Sequence, residues 1–62
     1  MHKFKLGRSV FLKPTIFNRD APRGTFEVIK QLPERDGQLE YRIKSSREPH
    51  ERVAKESELS SE

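Results

Sequence analysis

Cysteine is absent from this 62-residue chain, so neither a disulfide nor a thiolate metal site can brace it, and no thiol can act as a nucleophile. Tryptophan is absent as well, and the aromatic residues are four phenylalanines and one tyrosine. No run approaches the roughly 20 apolar residues of a membrane helix. The start carries positive charge at Lys3, Lys5 and Arg8, but it lacks the apolar stretch of about seven or more residues that a secretory signal needs. A cytoplasmic location is the expectation. His2 and His50 have no neighbour at metal-ligand spacing. The serines, chiefly Ser45, Ser46, Ser60 and Ser61, have no base and orienting acid in sight. The expectation is therefore no metal, no cofactor and no enzymatic activity.

Charge is plentiful. Net charge is +3 with an isoelectric point near 9.6, and it is unevenly spread. Residues 1–24 hold Lys3, Lys5, Arg8, Lys13, Arg19 and Arg23 against Asp20 alone, whereas residues 25–62 are net acidic. Such asymmetry permits a surface for nucleic acid or an acidic partner, and it equally suits a solvated face that keeps a small domain soluble.

The clearest pattern lies in residues 24–54, where apolar and charged residues alternate with a period of two on either side of a turn at residues 33–37. This is a β-hairpin. Phe26, Val28 and, after a local shift, Leu32 point inward from its first strand, residues 25–32. Leu39, Tyr41 and Ile43 point inward from its second. Ile29 breaks the alternation and is expected to cover the open side of the sheet. Asp36 and Gly37 supply the positive backbone φ of a tight turn. Before the hairpin, residues 3–13 read as a strand interrupted by Gly7, with Phe4, Leu6, Val10 and Leu12 in one phase. A loop over residues 14–24 follows, rich in proline, glycine, asparagine and aspartate. One of its two large apolar residues, Ile16 or Phe17, is expected to plug the end of the sheet.

After a second turn at residues 45–49, residues 50–54 read as a strand with Val53 inward. A helix over residues 51–59 is the alternative, because Pro49 suits a first helical turn; its apolar stripe, Val53, Ala54 and Leu59, is too narrow for a packed helix. A single 3₁₀ turn at residues 55–59 is expected instead, with Leu59 the last core residue and residues 60–62 frayed. A hairpin with one charged face needs further strands to cover the other. The chain is thus expected to be a single all-β domain of four to five antiparallel strands with a C-terminal 3₁₀ turn.

This order of elements resembles the small SH3-like barrels, most closely the single-domain members of the KOW and Tudor type. The likeness is carried by Leu6, Gly7, Arg8, Ser9 and Val10 at the start, and by Gly24, Thr25, Phe26, Glu27 and Val28 after the loop. Tyr41, Arg42, Ile43 and Lys44, then Glu51, Arg52 and Val53 with Glu58 and Leu59, complete it. It spans about residues 3–59. The resemblance implies a barrel that binds without catalysis and holds its ligand between the long first loop and the loop after the second strand, here residues 16–23 facing residues 33–37. Relatives that grip proline-rich peptides or methyl-lysine use several aromatic residues, and this chain can spare few from its core.

The loop residues Ile16, Phe17, Asn18, Arg19, Asp20 and Arg23 are the candidate partner-binding site. Arginine beside an aromatic ring can stack on an unpaired base or hold a phosphate; the plainer reading packs Phe17 on the core and ties the charges into local turns. Lys3, Lys5, Arg8 and Lys13, with a stripe of Arg42, Lys44 and Arg52 on the outer sheet face, are candidate nucleic-acid contacts. Glu27, Glu40 and Glu51 lie near enough for that stripe to be cross-strand salt bridges instead. The function expected is that of a small accessory protein binding another protein, with single-stranded nucleic acid as the alternative ligand. The chain is expected to be a monomer, or a weak homodimer through an open strand edge.

Overall fold

The structure is a computed structural model and describes residues 2–16 and 18–61. The described residues form five strands and one short turn: β1 (Ser9–Leu12), β2 (Thr25–Arg35), β3 (Gln38–Lys44), β4 (Glu51–Lys55), a 3₁₀ turn (Glu56–Glu58) and β5 (Leu59–Ser61). They form one antiparallel sheet in the order β4-β3-β2-β1-β5, with β4 and β5 at its two edges. No helix among the described residues is long and apolar enough to cross a membrane.

A single sheet has no second layer to cover its apolar face, so it must curl over its own side chains. Val10 from β1, Phe26 and Val28 from β2, Tyr41 and Ile43 from β3, Ala54 from β4 and Leu59 from β5 meet on that face, and Phe4 joins them from the segment before β1. All are buried. The bend is built into β2, whose register against β3 slips between Val28 and Lys30 and again between Leu32 and Arg35. Each slip is a bulge, which bends and twists the strand locally. Pro33 sits at the second one, where a residue lacking an N–H costs the ladder least. The hairpin closes with Asp36 at φ 55° and Gly37 at φ 78°, the paired left-handed conformation of a type I′ turn.

The first bulge also explains two departures from the alternation. Ile29 is the extra residue, and beyond it Gln31 pairs with Tyr41 while Leu32 pairs with Glu40. Gln31 therefore shares the phase of Tyr41 in place of Leu32 but stays exposed, its amide donating to the Phe4 carbonyl at 2.9 Å.

Three other expectations are corrected and one, the plug from the loop, is narrowed. The first strand is only Ser9–Leu12, because residues 5–8 form a turn in which Arg8 N–H donates to the Lys5 carbonyl and Gly7 takes φ 82°. That turn breaks the phase and leaves Leu6 63% exposed. Val53 does not point inward: it is 56% exposed and Ala54 is buried in its place, since the ladder sets Ala54 opposite Tyr41, whose ring leaves room for a small residue. Ile16 does not plug the sheet, being 71% exposed; Ala21 packs on the core from that loop, and Phe17 lies outside the described residues. Finally, Ser60 and Ser61 are not frayed, because they pair with Phe11 and Val10 as part of β5.

The segment before β1 is fastened along the half of β2 that β1 does not reach. Gly7 N–H donates to the Val28 carbonyl at 2.8 Å and Val28 N–H to the Arg8 carbonyl at 3.0 Å. Further along, a His2 ring nitrogen donates to the Leu32 carbonyl at 2.6 Å. The buried Tyr41 hydroxyl accepts from the amides of Lys3 and Phe4 and donates to Glu56 in the 3₁₀ turn. His2 and Phe4 each set a ring edge to face against Tyr41.

Val28→Ala and Ile43→Ala each open a cavity in this core and should remove about 2–4 kcal/mol of stability in urea unfolding. Leu6→Ala and Val53→Ala, at exposed sites, should change it by less than about 0.5 kcal/mol. Equal losses in both pairs would show that the inner face is assigned wrongly.

Candidate functional site

Between β1 and the loop of residues 14–24 runs a groove of about 440 Å³. Its apolar surface comes from Phe11, Leu12, Pro14, Ala21 and Pro22, and its polar rim from Asn18, Arg19 and Arg23. Phe11 points away from the core because Val10 and Leu12 take the inner phase, and it remains 41% exposed.

Asn18 shapes the loop. Its Oδ1 accepts the Thr15 amide at 2.7 Å, its Nδ2 donates to the Lys13 carbonyl at 3.2 Å, and its own carbonyl accepts the Ala21 amide at 2.9 Å. These bonds make two successive turns and bring Arg19 and Arg23 to the same rim. Asp20 points elsewhere, with Oδ2 3.7 Å from Arg52 Nη2 on β4. Among the described residues, Arg19 and Arg23 have no acidic partner. Of the expected loop site, then, Asn18, Arg19 and Arg23 come together, Asp20 braces the loop, Ile16 stands in solvent, and Phe17 lies outside the described residues. None of residues 33–37 lines the groove.

The remaining cations are dispersed. Lys3 and Lys13 border a smaller hollow of about 250 Å³ with Gln38, Glu56, Ser57 and Leu59, and Lys3 Nζ lies 5.6 Å from the centre of the Phe4 ring. Lys5 and Arg8 are exposed in the turn before β1. On the outer sheet face, Arg42 Nε meets Glu51 Oε1 at 3.5 Å. Lys44 Nζ donates to the carbonyls of Ser45 and Glu48. Arg52 pairs with Ile43 in the ladder and so lies on the opposite face from Arg42 and Lys44. The three do not form one stripe.

Arg52 instead grips Glu48 with both ends of its fork, Nε to Oε1 at 2.6 Å and Nη2 to Oε2 at 3.0 Å. His50 Nε2 stands 3.3 Å from Glu48 Oε2. The Arg52 hydrogen bonds hold the Glu48 carboxyl below its ordinary pKa, and Glu48 in turn raises that of Arg52. In the second cluster, the Tyr41 hydroxyl and the Lys3 amide hold Glu56 low, while burial and then Glu56 push the Tyr41 hydroxyl up. In both clusters the carboxylate bonds to groups inside the chain, which fits bracing. Neither Glu48 nor Phe11 stood out in the sequence: the Glu48–Arg52 pair crosses a turn whose shape the sequence does not encode, and Phe11 read only as the outward residue of a strand.

Among the described residues, no group of three histidine, aspartate or glutamate side chains could hold a metal ion. No protein-family model, curated protein or solved structure matches the chain. The class defined by its geometry is a small antiparallel β-sheet domain with an open groove that is apolar at its base and basic at its rim.

Because Glu48 and Glu56 have lowered pKa values in the folded chain, the stability they contribute is complete above the ordinary carboxylate pKa and is lost as pH falls through the folded values. Tyr41 has the opposite sign: its raised pKa gives a contribution that is complete below the ordinary tyrosine value and is lost as pH rises through the folded one. Urea melts across pH should therefore show stability falling at both ends, with Glu56→Gln softening the acid limb. Tyr41→Phe should soften the alkaline limb and cost about 1–3 kcal/mol at neutral pH, because it strands the buried Phe4 amide, whereas the Lys3 amide keeps its bond to Glu56.

Proposed function

We propose that this chain is a non-enzymatic binding module, an SH3-like barrel of the KOW and Tudor kind, serving as a small cytoplasmic accessory protein. Its groove takes an extended acidic segment of a partner protein. The strand order β4-β3-β2-β1-β5, with a 3₁₀ turn between β4 and β5, supports the barrel assignment. The observation that carries the functional reading is the pair Arg19 and Arg23, unneutralised by any described acidic residue, beside the apolar base formed by Phe11, Leu12 and Pro22. A segment with one apolar side chain between carboxylates would bury that side chain and meet both guanidiniums, which favour planar carboxylates through their forked donors. The groove volume lies within the range of about 300–1,000 Å³ usual for ligand sites. The loop is already held by the Asn18 bonds, which reduces the ordering that opposes binding.

Peptide display against the immobilised protein tests this. The expected selection is enriched in sequences with Asp or Glu on both sides of an aliphatic or aromatic residue. Arg19→Glu with Arg23→Glu, shown to be folded by its amide spectrum, should weaken the selected peptides by about tenfold or more. Peptides that bind the double variant equally well would place the site elsewhere. If no peptide is selected and single-stranded oligonucleotides move the amides of residues 3–23, with an affinity falling steeply between about 50 and 200 mM salt, the ligand is nucleic acid.

A further inference from the structure

We propose that two copies of this chain associate through β4, strand against strand and antiparallel, about a two-fold axis at Val53. β4 is an edge of the open sheet, so one side of its backbone has no strand to pair with. Lys55 shows which side. Its N–H is given to Glu58 Oε1 at 2.8 Å, outside the ladder, and in an antiparallel strand the residues at every second position turn their backbone groups the same way. Val53 and Glu51 thus present N–H and C=O away from β3.

The side chains are complementary to their own copy. Glu51, Val53 and Lys55 share the outer face, in the order acid, apolar, base. Pairing about Val53 sets Glu51 opposite Lys55 of the second copy, twice by symmetry, and brings the two exposed Val53 side chains together. On the inner face Arg52 lies opposite Ala54 of the second copy, so no rung carries like charges. Glu51 meets Arg42 through Oε1 and can meet a second cation through Oε2. Neighbouring registers do not match: an axis at Arg52 sets that arginine against its own copy, and an axis at Ala54 removes both ion pairs. Opposite charges across strands stabilise pairing and like charges oppose it. An interface of this kind is isologous and closes at two copies.

The test is sedimentation of the full chain over about a hundredfold concentration range, repeated for Glu51→Lys, for Lys55→Glu and for their equimolar mixture. The native chain is expected to dimerise, with amide shifts on dilution centred on residues 51–55. Each single variant sets like charges opposite each other at both ends of the interface and should weaken association by about tenfold or more. The mixture should recover it, because the new lysine of one variant meets the new glutamate of the other and the retained Lys55 meets the retained Glu51. Native chain that is monomeric throughout overturns the proposal. So does a dimer that both single variants form as well as the native chain, or a mixture that associates no better than its components.

Discussion

One hydroxyl decides how this sheet can curl. Tyr41 is buried at the middle of β3, and a buried hydroxyl without partners would cost more than its ring contributes. Its three bonds reach the amides of Lys3 and Phe4 on one side and Glu56 on the other. Those partners lie at opposite ends of the chain, so the bonds form only when the segment before β1 and the 3₁₀ turn both close over the same end of the core. Phe4, from the segment before β1, and Leu59, directly after the 3₁₀ turn, enter the core beside it. In a chain with no disulfide to draw its ends together, a polar centre performs that task with the geometric selectivity that apolar packing lacks.

The same division of labour holds at the other end of the sheet. Asp20, Glu48, His50 and Arg52 tie the long loop and the β3–β4 turn to β4, and Lys44 adds two bonds to the turn carbonyls. Arg42, Lys44 and Arg52, which read in the sequence as a possible binding stripe, are consumed in ion pairs and turn bonds. Arg19 and Arg23, which have no acidic partner among the described residues, stand together at the groove.

The hairpin was legible because period-two alternation and an Asp-Gly turn are local signals. Tyr41, Ile43, Phe26 and Val28 follow directly from it. The 3₁₀ turn followed from the narrowness of the apolar stripe in residues 51–59. The phase of β4 was not legible, since Val53 and Ala54 are adjacent apolar residues and only the size of Tyr41 selects between them. Leu6 was misplaced because Gly7 allows a turn that resets the phase, and β5 was missed because Ser60 and Ser61 pair through their backbones and carry no apolar signal. The loop was recognisable as a binding candidate from its composition, and Arg19 and Arg23 do share a rim. That Asp20 would leave them for Arg52 depends on contacts between residues far apart in sequence, which no local pattern records.

The bond from Lys55 N–H to the Glu58 carboxylate bears on a hazard that every open sheet faces. Stacked fibrils grow when an edge offers an unbroken row of backbone donors and acceptors to the next chain. Here the Lys55 N–H is already given to a side chain, so the row offered to a second copy is short, its donors being those of Glu51 and Val53, and the opposite edge, β5, is only three residues long. A glutamate beyond the end of β4 thereby acts as a terminator for cross-β growth.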